Sequence, residues 1–173
     1  FSGCSSLTSI EFGENSQLTF IGDYAFSGCS SLTSIEIPSG VTSIGIFAFA
    51  YSHSLTSIEL PSSVTSIGKN AFENCTSLTS IEIPSGVTSI GVAAFSCCSS
   101  LTSIDFGENS QLTSIGNSAF YNCSSLTSIE IPSGVTSIGN SAFYECSSLT
   151  SVTFGDNSQL TLIGGGAFSY CSS

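Results

Sequence analysis

The sequence predicts a solenoid of stacked 23–25-residue repeats, with a short parallel β-sheet on one side and turns or short helical segments on the other. Three observations carry this. Phe1, Phe26, Phe49, Phe72, Phe95, Phe120, Phe143 and Phe168 recur at intervals of 23 or 25 residues, so the 173-residue chain is one unit copied about seven times. Within a unit the apolar residues hold fixed places, as Leu32, Ile35, Ile37, Val41, Ile44 and Phe49 do in one copy. Pro and Gly punctuate these runs in register, as at Pro38, Gly40 and Gly45.

Residues 26–48 serve as the reference unit. Ile35-Glu36-Ile37 alternates with period two, which predicts a short strand with Glu36 pointing outward. Pro38-Ser39-Gly40 turns the chain, and Pro38 ends the pairing because it has no N–H. Val41 to Ile44 gives a second short apolar edge. Gly45 closes it and is expected at positive φ, which glycine adopts most cheaply. From Gly45 through Phe49 to Leu55, the spacing of Ala48, Ser52 and Leu55 predicts a short helical turn carrying Ala48 and Phe49 inward. A turn of that length has no stability of its own in water. Burial of Phe49 between adjacent coils must hold it, so no repeat is expected to fold alone.

The 25-residue units differ at one place. Phe106-Gly107-Glu108-Asn109-Ser110-Gln111-Leu112 replaces Ile-Pro-Ser-Gly-Val, and the same substitution follows Phe12 and Phe154. The extra residues fall between the two edges, where they form small bulging loops and candidate recognition elements. Residues 1–173 read as a single uncapped solenoid, with Phe1 and Cys171-Ser172-Ser173 both falling inside a repeat. The expectation is an excerpt of a longer array whose complete form closes its ends with polar caps.

Composition narrows the partners. Hydrophobic residues make up 40% of the chain, which argues against disorder. Twelve Asp and Glu stand against a single basic residue, Lys69, for a net charge of −11. Nucleic acid and anionic membrane surfaces need Lys or Arg to replace counterions, so neither is expected as a partner. Cationic partners or metal ions are favoured instead. No run of about 18 apolar residues exists, so no membrane insertion is expected.

The unit Leu-x-x-Ile-x-Ile-Pro…Val-x-x-Ile-Gly-x-x-Ala-Phe-x-x-Cys-x-x-Leu resembles the BspA-like leucine-rich-repeat surface proteins over the whole chain. Ser52 departs from it by replacing Cys, and Val152-Thr153 replaces Ile-Glu. The resemblance implies a leucine-rich-repeat solenoid at the cell surface or secreted, adhering to host or neighbouring-cell proteins. Matrix proteins such as fibronectin or fibrinogen are the partners it suggests. Leucine-rich repeats in general follow the strand with an Asn ladder, and here Gly40 and Gly86 stand near that place.

Glu11, Glu36, Glu59, Glu82, Asp105 and Glu130 share one repeat position, and Thr153 breaks the run. Stacked strands place such carboxylates about 5 Å apart. The column reads either as a rail for Ca²⁺ or a basic partner, or as a solvated face that prevents mispairing and keeps the array soluble. Tyr121 and Tyr144 share an offset in adjacent repeats, and form either an exposed aromatic pair suited to an interface or half-buried packing. Cys4, Cys29, Cys75, Cys98, Cys123, Cys146 and Cys171 form another column, with Cys97 extra. Stacked thiols lie side by side with a Cβ separation near ~5 Å, beyond the usual ~3.8 Å, so they are expected to stay free and buried. Zinc is disfavoured for want of Cys-x-x-Cys spacing and nearby His. Asn74-Cys-Thr and Asn122-Cys-Ser are weak N-glycosylation matches.

His53 is the only histidine, and there is no Arg, so the parts of an enzyme are missing and neither catalysis nor a cofactor is expected. The reading is a non-catalytic surface adhesion module. Its alternative is a structural filament built by end-to-end self-association of apolar end faces. A minor reading is ice binding through the Thr33, Thr56, Thr79, Thr102, Thr127 and Thr150 column and its companion at Thr42, Thr65, Thr88, Thr113 and Thr136.

Overall fold

The computed structural model describes residues 1–171; Ser172 and Ser173 lie outside the described residues. Eleven short strands follow in chain order: β1 Phe20–Ile21, β2 Ser43–Ile44, β3 Ser66–Ile67, β4 Ser80–Glu82, β5 Ser89–Ile90, β6 Ser103–Asp105, β7 Ser114–Ile115, β8 Ser128–Ile131, β9 Ser137–Ile138, β10 Ser151–Phe154 and β11 Leu162–Ile163. Each pairs in parallel with its copy one coil away, Ile44 against Ile67 and Ile115 against Ile138, so the register step is one repeat. The chain is a parallel solenoid.

Two ladders run along the axis where one sheet was expected. The longer has seven strands in the order β1-β2-β3-β5-β7-β9-β11 and comes from the Val-x-x-Ile edge. The Ile-Glu-Ile edge pairs only as β4 with β6, β8 with β10, and one bridge from Glu36 to Glu59. Two-residue strands have no stability alone, and the coils on either side hold each of them.

The expected helical turns are absent; no helix forms among the described residues. A helix needs negative φ throughout, yet Phe47 (φ 53°) and Tyr51 (φ 62°) both adopt the left-handed region. The N–H groups consequently alternate. Those of Ala48, Ala50 and Ser52 donate within the coil to Gly45, Phe47 and Phe49, while those of Phe47, Phe49 and Tyr51 donate to Lys69, Ala71 and Glu73 in the next coil. This zigzag stitches the turn face to its neighbour as a sheet would.

Gly45 also departs from expectation, because its φ is not positive. A Cβ there would stand 2.7 Å from the Asp23 nitrogen, and one on Gly68 would stand 2.8 Å from the Gly45 carbonyl carbon. These glycines let backbones of adjacent coils touch. Beside them, and not near Gly40 and Gly86 where the Asn of leucine-rich repeats was sought, runs a ladder of Asp and Asn side chains. Asp23 Oδ1 accepts the Ile46 N–H at 2.7 Å, Asn117 Oδ1 accepts that of Asn140 at 2.8 Å, and Asn140 Oδ1 accepts that of Gly165 at 2.7 Å.

The phenylalanines form one continuous stack from Phe1 to Phe168, with ring centroids 5.1–5.4 Å apart. Phe49, Phe72, Phe95, Phe120 and Phe143 are fully buried, with Leu32, Leu55, Leu78 and Leu101 packed into the same core. The cysteines are free, as expected, and Cys29, Cys75, Cys98, Cys123 and Cys146 are buried.

Candidate functional site

Every other face is the outer wall of this core, so the candidate site is a surface. Alternation turns Ile35 and Ile37 inward and leaves Glu36 exposed; Ile58 and Leu60 do the same for Glu59. The following turn is fixed by Val41 N–H donating to the Pro38 carbonyl and Val64 N–H to that of Pro61. Beside these turns the first long loop folds over, and together they bound an open groove lined by Glu11, Glu14, Glu36, Glu59, Ser16, Pro38 and Pro61. The groove thus joins two features flagged separately in the sequence, half of the acidic column and one of the long loops.

The rest of the column lies outside this groove. Glu82 pairs in register with Asp105, and Glu130 with Thr153. Asp105 Oδ1 accepts the Gly107 N–H at 2.8 Å, so this carboxylate caps the second long loop. That loop closes back on itself through Gln111 Nε2 to the Asn109 carbonyl and Leu112 N–H to Ser110 Oγ, and the first loop repeats both bonds through Gln17 and Leu18. Carboxylates about 5 Å apart repel by about 1 kcal/mol per neighbouring pair in water. They accept hydrogen bonds and donate none, which suits Lys or Arg side chains of a partner. Among the described residues no group of three or more His, Cys, Asp or Glu side chains is arranged to hold a metal ion.

On the turn face, Tyr121 and Tyr144 stack with centroids 5.4 Å apart and rings 5° from parallel, and Tyr170 leans on Tyr144 at 59°. Both members of the pair are half-buried. Burial and then the nearby Glu145 carboxylate push the Tyr121 hydroxyl above its ordinary pKa. Burial and then Tyr170 do the same for Tyr144. His53 holds coils together, its Nδ1 lying 3.0 Å from the Asn74 carbonyl, which can only accept. Asn74 and Asn122 occupy left-handed turn positions followed by buried Cys75 and Cys123.

Both Thr columns are exposed, but most of their hydroxyls are engaged. Thr56 Oγ1 donates to the Thr33 carbonyl at 3.2 Å, Thr102 to Thr79 at 3.0 Å and Thr136 to Thr113 at 3.1 Å. Most of the hydroxyl hydrogens thus serve the ladder and not the solvent face. No sequence signal marked this, nor the Asp/Asn ladder, whose three members follow the Gly column at irregular intervals.

The family model for the BspA type leucine rich repeat region matches in six copies over residues 1–112 and 108–173. Among solved structures, the chain is similar to the leucine rich repeat protein TpLRR of T. pallidum at 30% identity and TM-score 0.83, covering 95% of this chain and 75% of that one. A leucine-rich repeat protein from Eubacterium ventriosum ATCC 27560 is similar at 27% identity and TM-score 0.71, over 82% of this chain and 44% of that one. The pneumococcal vaccine antigen PcpA is similar at 26% identity and TM-score 0.72, over 87% of this chain and 40% of that one. The chain thus spans less than half the length of the last two. No curated protein matches it.

Proposed function

The chain belongs to the BspA-type leucine-rich-repeat family, and from that premise we propose that it is a non-catalytic protein-binding module working in adhesion at a cell surface or after secretion. Its partners are proteins of a host or of neighbouring cells, with matrix proteins such as fibronectin the first to test. One observation carries the reading: a single unbroken core supports long repeated outer faces, and the open groove at Glu11, Glu36 and Glu59 combines a regular charged row with an irregular loop. Regular rows give reach and charge, and irregular loops give selectivity. A vaccine antigen among the similar structures supports display outside the cell.

Surface plasmon resonance against immobilised fibronectin and fibrinogen tests this. Saturable binding that weakens with salt supports an acidic module meeting a basic partner. No saturable binding to either overturns the matrix assignment. Particles that lengthen with concentration in electron micrographs would replace it with the filament reading.

A further inference from the structure

The Asp/Asn ladder is suspended in the middle of the solenoid. At the ladder position, the residue after each stacking glycine, three consecutive coils carry Ile46, Lys69 and Val92 in place of Asp or Asn. Ile46 and Val92 have no polar atom to offer, and Lys69 can only donate. The N–H groups of Lys69, Val92 and Asn117 therefore lose the side-chain acceptor that Ile46, Asn140 and Gly165 enjoy. In exchange the surface gains exposed apolar side chains, Ile46 at 39% and Val92 at 42%, next to Tyr24, itself 50% exposed. Tyr24 stacks on Phe47 at 5.1 Å along the same edge. Backbone bonds from Tyr24 to Ile46, from Phe47 to Lys69 and from Asn70 to Val92 bind these coils side by side. Beside Lys69 lies Asn70 Oδ1, a buried side-chain oxygen with no hydrogen-bond partner among the described residues. Stability is given up here repeatedly, within one small area, and such local departures mark functional surfaces.

Charge and spacing specify the occupant. Lys69 is the only basic side chain in a chain of net charge −11, and it sits between the two exposed branched apolar residues. A partner's carboxylate finds attraction at this one place and repulsion elsewhere, which fixes register. Two coil steps span about 9.6 Å at the usual ~4.8 Å strand separation. Seven residues of α-helix span about 10.5 Å, a close match, whereas alternate side chains of an extended strand would span about 13 Å over two steps. We propose that the strip Ile46–Lys69–Val92, edged by the Tyr24–Phe47 stack, docks an amphipathic helix of a partner protein. That helix presents apolar side chains at i and i+7 and a carboxylate at i+3 or i+4.

The test uses the full chain and three alanine-rich helical peptides with Leu at i and i+7 and Glu, Gln or Lys at i+4, followed by fluorescence anisotropy. The Glu peptide is expected to bind about tenfold more tightly than the Gln peptide, and Lys69→Glu to reverse the order of the Glu and Lys peptides. Ile46→Asn with Val92→Asn restores ladder acceptors, so it should raise the thermal midpoint while weakening the Glu peptide about tenfold or more. That pairing excludes misfolding as the cause. Equal binding of the three peptides, indifference to Lys69→Glu, no binding at all, or equal binding of the same side chains on an extended peptide would each overturn the proposal. It rests on the protein-binding reading, and the two fail separately. Matrix binding that survives in these variants while no helix binds sinks the strip alone; absent matrix binding sinks the matrix assignment, with the peptides still deciding the strip.

Discussion

Cys75 Sγ donates a hydrogen bond of 3.2 Å to the carbonyl oxygen of Phe49, one coil earlier. The same oxygen accepts the N–H of Ser52 in its own coil, so both of its lone pairs are used. Cys98, Cys123, Cys146 and Cys171 repeat the contact with Phe72, Phe95, Phe120 and Phe143. Where the column carries Ser52, its hydroxyl makes the equivalent bond to Phe26 at 3.1 Å. The column is therefore more than small apolar filler: from Cys29 onward each member ties its coil to the one before.

Cys75→Ser should keep the donor and cost about 1 kcal/mol, mostly from lost packing volume. Cys75→Val should cost about 2–3 kcal/mol, because it removes the donor and forces a second branch into a closed site. Urea titrations of the two variants decide this. Equal losses would reduce the thiol to a filler.

The stacking glycines give a second contrast. A Cβ on Gly68 would meet only backbone, at 2.8 Å and 2.9 Å, whereas one on Gly86 would meet nothing nearer than 3.7 Å. Gly68→Ala must push two coils apart and is expected to cost about 3 kcal/mol or more. Gly86→Ala should be neutral or stabilising by up to about 1 kcal/mol, through the unfolded chain. Thermal midpoints that fall equally would contradict this account of the column.

Alkaline pH should unravel the stack. Burial pushes the Cys75 and Cys146 thiols up to about 12 from 9.0, and burial and then neighbouring thiols carry Cys98 and Cys123 well upward too. Above pH 9 the unfolded chain releases these protons while the folded chain keeps them, so folding loses stability as pH climbs towards 12. Each such thiol contributes about 1.4 kcal/mol per pH unit in that window. Urea midpoints should hold steady below pH 9 and drop steeply above it, less steeply in Cys75→Ser. A profile flat through pH 11 would contradict the burial of the column.

The periodic Phe, Leu and Ile positions were legible because a buried column tolerates only one shape, so the repeat carries it at every copy. Ile35-Glu36-Ile37 showed its alternation for the same reason. What the sequence hid depends on contacts between coils. Gly45 looked like a turn glycine, and only stacking shows its Cβ space filled by the backbone of the preceding coil. Phe47 and Tyr51 take left-handed conformations with no glycine to announce them, so the spacing of Ala48, Ser52 and Leu55 read as helical. On the candidate surface, the row of carboxylates was visible, but its division was not. Asp105 turns to cap a loop, while Glu11, Glu36 and Glu59 share the groove. Ile46 and Val92 drew no notice, and Lys69 only as the single basic residue, because an exposed residue matters there only against the ladder it interrupts.

The acidic groove separates charge for binding from charge for solubility. Glu36 and Glu59 face each other across a parallel bridge and both line the groove. Replacing both with Gln keeps their shape, removes their mutual repulsion and lessens that from Glu11. Stability should therefore rise by about 0.5–1 kcal/mol at low salt, and most of that gain should vanish near 1 M salt, where the Debye length is about 3 Å. Urea midpoints at the two ionic strengths measure it. The same variant belongs in the fibronectin assay, because the two roles pull apart there. Weaker binding in a more stable protein would assign the carboxylates to a basic partner, with stability given up to keep them. Unchanged binding would leave them a device against mispairing and aggregation, and would move the search for the contact surface to the long loops and the turn face.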